Sequence, residues 1–181
     1  MYGLVNNAFK ELITKNYSEE IWALVQKKSG VSDDFFLTNV SYDDSITYSL
    51  VGVLSEVTST PVADILIGFG KHWILDTGAK KYGDMIQTLG NNVTDFLVNL
   101  VDFHKSVYLI FPKITPPEFK VTDITENELV FHYFSERQGL APFVHGLILG
   151  VGIRFQTELF IKQTAFKSEG DHHDIFNVSW S

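Results

Sequence analysis

The chain contains no cysteine. Disulfides, thiolate ligation of iron and cysteine-based zinc sites are therefore excluded. The absence fits a reducing compartment, and the expected location is cytoplasmic. Positive charge is also scarce: 14 Lys and Arg stand against 22 Asp and Glu, a net charge of −8. That balance argues against binding nucleic acid or an anionic membrane surface. No run of about 18 uncharged apolar residues occurs, so no membrane span is expected. Met1-Tyr2-Gly3-Leu4 leads straight to polar Asn6 and Asn7, with no basic region or apolar stretch, so no signal peptide is expected.

What remains is a globular composition. Hydrophobic residues make up 45% and charged residues 20% of 181 positions, enough for one domain over residues 1–181 with a substantial core. Aromatics reach 14%, including 15 Phe. Rings in that number serve either a thick core or a wall around a flat ligand.

The first two-thirds of the chain read as helix. Leu4, Val5, Ala8, Leu12 and Ile13 share a helical face. Ser18 opens a second helix to about Lys28, stopped by Gly30; Asp43 or Asp44 caps a third carrying Leu50, Val51 and Leu54. Pro61 suits the first turn of the next, which runs through Trp73. Gly78, Gly83 and Gly90 mark a looser region, and a longer helix runs from about Thr94 to Leu109. After Pro112 the pattern changes. Pro116-Pro117 forces extended chain, and Thr125-Glu126-Asn127 is a turn between two strands, the second covering Glu128 to Glu136. A helix from about Ala141 to Phe155 and strands near Thr157–Phe166 and His173–Trp180 complete the order, with Ser168–Asp171 as the hairpin loop. Helices followed by a small antiparallel sheet with one inserted helix is an α+β arrangement.

Two constellations carry chemistry. Leu97, Leu100, Val101, His104 and Tyr108 fall on one helical stripe, so His104 faces inward. A buried imidazole needs partners for its ring nitrogens. Iron is one such partner; a backbone or side-chain group in the core is the plainer alternative. Tyr133, Ser135 and Arg137 alternate at the end of a strand and so share a face. A phenol, a hydroxyl and a guanidinium fork together can hold a carboxylate, although a polar strand end paired to a surface acid fits the same spacing. His172-His173 sits in a polar loop and makes a poor metal pair.

Together these features resemble the heme nitric oxide/oxygen-binding (H-NOX) family, which includes bacterial gas sensors and the heme domain of soluble guanylate cyclase. The resemblance runs from Met1–Asn6 through Phe69-Gly70-Lys71-His72-Trp73, the His104 helix, Pro116-Pro117, Tyr133–Arg137 with Gly139–Pro142, to Gln163–Phe166. It implies heme b held between a helical N-terminal half and a C-terminal half with the sheet. His104 would be the axial iron ligand. Tyr133, Ser135 and Arg137 would hold the propionates, and Pro117 would press on the porphyrin. The family's cysteine-rich zinc site is not expected, because the loop Ser168–Asp174 lacks cysteine.

The resemblance also locates a distal pocket. Where some members carry an oxygen-binding tyrosine, this chain has Phe143, which has no hydroxyl to donate. Trp73, Leu147 and Leu4 are the expected companions. The implied function is a gas sensor, not an enzyme. It would bind nitric oxide and carbon monoxide, form no stable oxygen complex, and signal through a separate histidine kinase or diguanylate cyclase, because no effector is fused before Ser181. In the family scheme nitric oxide weakens the bond to His104 and the helix moves. Three alternatives stay open: an oxygen-binding sensor or carrier, a heme-free module for a hydrophobic ligand, and an acid–base enzyme built on His104 with Asp102 or His173 with Asp174. The first of those acid–base pairs is disfavoured, since residues two apart on a helix diverge.

Overall fold

The computed structural model describes residues 1–31, 36–110 and 117–181; the side chains of residues 84, 85 and 107–110 are not part of the description. Pro112, Pro116 and the side chain of Tyr108 lie outside the described residues. The chain divides into two compact units, Met1–Phe69 and Gly70–Ser181.

The first unit is helical, with α1 (Gly3–Asn16), α2 (Glu19–Ser29), α3 (Asp44–Thr58) and the start of α4 (Val62–His72). Its helix starts follow from local chemistry. Ser18 Oγ accepts the Ile21 N–H at 3.2 Å, and the Asp43 carboxylate accepts the Ser45 N–H at 2.8 Å. Gly30 ends α2 with φ 69°, a left-handed conformation that suits glycine. Phe9, Ile13, Leu50 and Leu54 are fully buried. The polar Asn6 and Asn7 are used internally. The Thr47 hydroxyl donates to Asn6 Oδ1 at 2.6 Å, while Asn7 bonds the Phe36 carbonyl at 2.6 Å and accepts its N–H at 3.2 Å.

The second unit begins with the last residues of α4, followed by a π-helical turn, Trp73–Thr77, from which Gly78 N–H reaches back to the Trp73 carbonyl. There follow α5 (Gly78–Gln87), α6 (Val93–Ile110), β1 (Glu118–Thr122), β2 (Glu128–Phe134), α7 (Ala141–Arg154), β3 (Leu159–Ala165) and β4 (Asp174–Trp180). The glycine-marked region expected to be loose is thus helical, bent at Tyr82 (φ −125°, ψ 22°). Packing overrides propensity there. A Cβ on Gly78 would come within 2.9 Å of Ile86 Cδ1, so α5 folds tightly on itself. Asn92 starts α6: its carbonyl oxygen accepts the Asp95 N–H at 2.8 Å and its amide donates to the Asp95 carboxylate at 2.7 Å.

The four strands form one antiparallel sheet in the order β1-β2-β4-β3. Alternation decides the faces. Leu129, Phe131 and Tyr133 of β2 are buried, whereas Val130, His132 and Phe134 are only partly so. The buried face joins Phe119 of β1 and Phe176 of β4 with Phe96 and Leu97 of α6 and Ile148 of α7. Each such large apolar side chain contributes about 1.5–3 kcal/mol when fully buried. This core fixes α6 and α7 against the same side of the sheet. The mixed α+β architecture expected from the sequence is the one observed.

One boundary differs. The strand expected to reach Glu136 stops at Phe134. Ser135 Oγ accepts the Arg137 N–H at 3.1 Å, which turns the chain out of the ladder before Gly139 (φ 73°). Strand alternation therefore does not relate Ser135 and Arg137 to Tyr133; a hydroxyl-closed turn does.

Candidate cofactor site

His104 sits two-thirds of the way along α6, partly buried, on the stripe that carries Leu97 and Leu100. Its Nδ1 is sealed from solvent and has no hydrogen-bond partner among the described residues. Burial pushes its pKa down to about 4, so the imidazole is neutral at neutral pH. The ring meets Phe119 of β1 edge to face, centroids 4.8 Å apart and planes at 88°. Phe119 in turn stacks on Tyr133 at 5.7 Å and 27°. A neutral imidazole, oriented by an aromatic wall and lacking a protein partner at a buried nitrogen, suits a metal ligand. Asp102 takes no part in it. That carboxylate is exposed and accepts from Lys105 Nζ at 3.0 Å.

Tyr133 closes β2 and is buried in the core. Ser135 and Arg137 follow it in the turn just described, and the Ser135 carbonyl accepts from Lys167 Nζ. Pro117 is partly buried and immediately precedes β1, two residues before Phe119. The sequence order Pro117-Glu118-Phe119 thus brings the expected porphyrin contact and the ring against His104 onto one short segment.

A second group gathers on α7 and the π-turn. A Cβ on Gly70 would clash with the Phe143 carbonyl and lie 2.6 Å from Leu147 N, so α4 crosses α7 backbone to backbone at that glycine. Gly150 does the same further along, with Ile74 Cβ 3.0 Å from where its Cβ would be. This close crossing sets Trp73 against Phe143, ring centroids 6.3 Å apart at 74°. Leu147 is buried one turn beyond Phe143. Leu4 lies partly buried on α1, within the first unit.

Three of the other histidines have polar neighbours of their own. His72 Nδ1 lies 3.2 Å from Asp76. His132 Nδ1 lies 2.9 Å from His173 Nε2, and His132 Nε2 lies 2.9 Å from Thr122 Oγ1. Asp174 is not a catalytic partner of His173: its Oδ1 accepts from Gln163 Nε2 at 2.9 Å and Lys167 N at 3.1 Å. Two contributors were not foreseen from the sequence, Phe119 and Thr77. Phe119 could have been found by its spacing from Pro117. Thr77, whose Oγ1 is buried with no hydrogen-bond partner among the described residues, has no sequence signal because the π-turn resets the helical phase.

A family model described as Haem-NO-binding matches residues 2–163. The chain belongs to this family. Heme is the family's cofactor, and members act as heme-based gas-sensing domains. Among curated relatives, soluble guanylate cyclase gcy-31 of Caenorhabditis elegans is 29% identical over 163 residues, 90% of this chain and 23% of that protein. Soluble guanylate cyclase 89Da of Drosophila melanogaster is 25% identical over 94% of this chain and 26% of its own length. The chain thus spans about a quarter of these cyclases. Among solved structures, an H-NOX protein from S. oneidensis in the Fe(II)NO ligation state superposes with TM-score 0.90 at 19% identity, covering 100% of this chain and 99% of the other. Unliganded Fe(II) H-NOX from K. algicida gives TM-score 0.85 at 22% identity over 100% and 97%. At these identities the superpositions establish the fold.

Proposed function

We propose that residues 1–181 form one sensor domain that holds heme b through His104 and responds to nitric oxide and carbon monoxide without forming a stable oxygen complex. The observation that carries the ligand assignment is the sealed, unpartnered Nδ1 of a neutral, ring-braced His104. Bound heme would supply an iron centre that the His104 imidazole could hold and a gas could bind. Burial keeps the imidazole deprotonated and ready to ligate, and Phe119 fixes its plane. Tyr133, Ser135 and Arg137 are the carboxylate-holding set; Arg137 offers the only permanent charge among the three. Pro117 is the contact on the porphyrin from the β1 side.

Gas preference rests on Phe143. Its ring packs on Trp73 and brings no hydroxyl into the space beside α7 and Leu147. Oxygen, which draws negative charge when it binds, needs a strong donor; nitric oxide and carbon monoxide need one far less. The chain acts as a sensor and not as a catalyst. In the cyclase relatives the matched part is about a quarter of a larger enzyme, which supports an output carried by another region or protein. A histidine kinase or a diguanylate cyclase in the cytoplasm is the partner proposed.

The test is an absorption titration. One heme per chain, absent in His104→Ala, is expected, with a reduced spectrum altered by nitric oxide and unaltered by air. Stoichiometric heme in His104→Ala would remove the ligand assignment. A spectrum that air changes reversibly would remove the oxygen exclusion.

A further inference from the structure

Thr77 is 6% exposed, and its Oγ1 is shut off from solvent with no hydrogen-bond partner among the described residues. Leaving a hydroxyl unsatisfied in the interior is costly, and threonine in a helix has a ready remedy in the carbonyl one turn back. Thr58 shows that remedy in this chain, with its hydroxyl on the Leu54 carbonyl at 2.8 Å. Thr77 does not take it. It lies at the end of the π-turn, where the Trp73 carbonyl is bonded by Gly78 N–H. Single π-turns of this kind occur often at functional sites.

The turn also sets which residues share its side. A π-helix has about 4.4 residues per turn, so residues four apart nearly eclipse each other. By that count residue 77 falls nearly in line with residue 73 along the turn, while Ile74 packs against Gly150 of α7. Trp73 is the residue whose ring meets Phe143. The Trp73–Phe143 ring pair beside α7 thus has, one turn along from Trp73, a buried hydroxyl with an unused proton.

We infer that Thr77 is a specificity-determining residue: its hydroxyl donates a hydrogen bond to a diatomic gas held beside Trp73 and Phe143. The inference rests on the heme-sensor reading above and refines it. An alkyl hydroxyl is a weaker donor than the phenol it would stand in for. It slows release of nitric oxide and carbon monoxide without making an oxygen complex persist.

The experiment uses the full chain loaded with heme and carbon monoxide as the probe, comparing wild type with Thr77→Val and Thr77→Ser. Valine keeps the shape and removes the hydroxyl; serine keeps the hydroxyl. A donor to the gas lowers the C–O stretching frequency, so Thr77→Val is expected to raise it and Thr77→Ser to leave it near wild type. Carbon monoxide release should be roughly 2- to 10-fold faster in Thr77→Val, the range for one neutral hydrogen bond. In the heme-free chain Thr77→Val should raise the unfolding midpoint, since an unsatisfied hydroxyl is lost. An unchanged C–O frequency in Thr77→Val, with heme bound through His104, would overturn the inference and leave the sensor reading standing. Failure of wild type to take up heme would overturn both.

Discussion

The imidazole of His104 meets the ring of Phe119 edge to face at 4.8 Å, with the two planes 88° apart. Phe119 is 4% exposed and also touches Phe131 and Tyr133, so the imidazole's orientation is tied to the sheet core. Removing the ring has two separable effects. Phe119→Ala should cost about 3–5 kcal/mol of stability through the cavity it leaves. Phe119→Leu, which keeps most of the volume, should cost about 1 kcal/mol and still loosen the imidazole. Heme should then transfer faster to an excess of acceptor apoprotein. Equal transfer rates in wild type and Phe119→Leu would show that the ring only fills space.

Acid should weaken the heme-free chain in a way that its histidines dictate. Burial lowers His104 to about 4. Burial first, and then the neighbouring His173 and Lys120, lower His132; burial first, and then His172, lower His173, with Asp123, Asp171 and Asp174 opposing. Each group thus binds its proton later in the folded state than in the unfolded one. As pH falls below the ordinary value of 6.5, the unfolded chain protonates first and stability drops. For His104 the drop continues to about 4; above 6.5 the contribution is fully present. The urea midpoint should therefore fall between neutral pH and about pH 5, and fall less in His104→Leu and His132→Asn. A parallel decline in all three proteins would assign the acid sensitivity to carboxylates instead.

Gly70 and Gly150 let α4 and the π-turn lie directly on α7. Gly70→Ala would drive a methyl into the backbone at Phe143 and Leu147, where nothing can rotate away. Overpacking of this kind costs about 1–3 kcal/mol. The thermal midpoint of Gly70→Ala should drop, and the Trp73 fluorescence maximum should shift as its ring parts from Phe143. Gly68→Ala, two residues earlier with open space at its Cβ, is the control and should be close to neutral. If the two variants behave alike, the crossing is looser than the contacts imply.

The features that the sequence revealed are those with a period. Helices α1 to α4 and α6 show apolar spacing and capping residues such as Ser18 and Asp43, and β2 to β4 alternate. Where both ends were read from the sequence, as for α2, α6 and β2 to β4, they lie within two or three residues of the observed ones. The inward position of His104 was readable because its stripe is long, and the proposed carboxylate-holding set because Tyr133, Ser135 and Arg137 lie within five residues. What failed to show depends on tertiary contact. The α5 helix starts at Gly78, a glycine that packing against Ile86 requires. The end of β2 is decided by one side-chain hydrogen bond from Ser135, which no alternation pattern records. The π-turn at Trp73–Thr77 shifts the helical phase and so hides Thr77, whose hydroxyl is buried with no hydrogen-bond partner among the described residues.

Phe143→Tyr is the substitution that bears most directly on gas choice. The ring is partly buried on α7 and lies against Trp73, and tyrosine keeps its shape while adding a para hydroxyl. A hydrogen bond to an acceptor that has gained charge is worth about 1.5–3 kcal/mol, roughly 10- to 100-fold in affinity. Phe143→Tyr should therefore give a reduced protein whose absorption changes on exposure to air and returns when oxygen is removed, whereas wild type stays unchanged. Carbon monoxide affinity should change far less, because that ligand carries little charge. Adding Thr77→Val to Phe143→Tyr separates the two donors. If the tyrosine supplies most of the bond, the double variant keeps most of the oxygen affinity that Phe143→Tyr gained. If the affinity collapses in the double variant, Thr77 orients the phenol, and the two hydroxyls act as one donor unit.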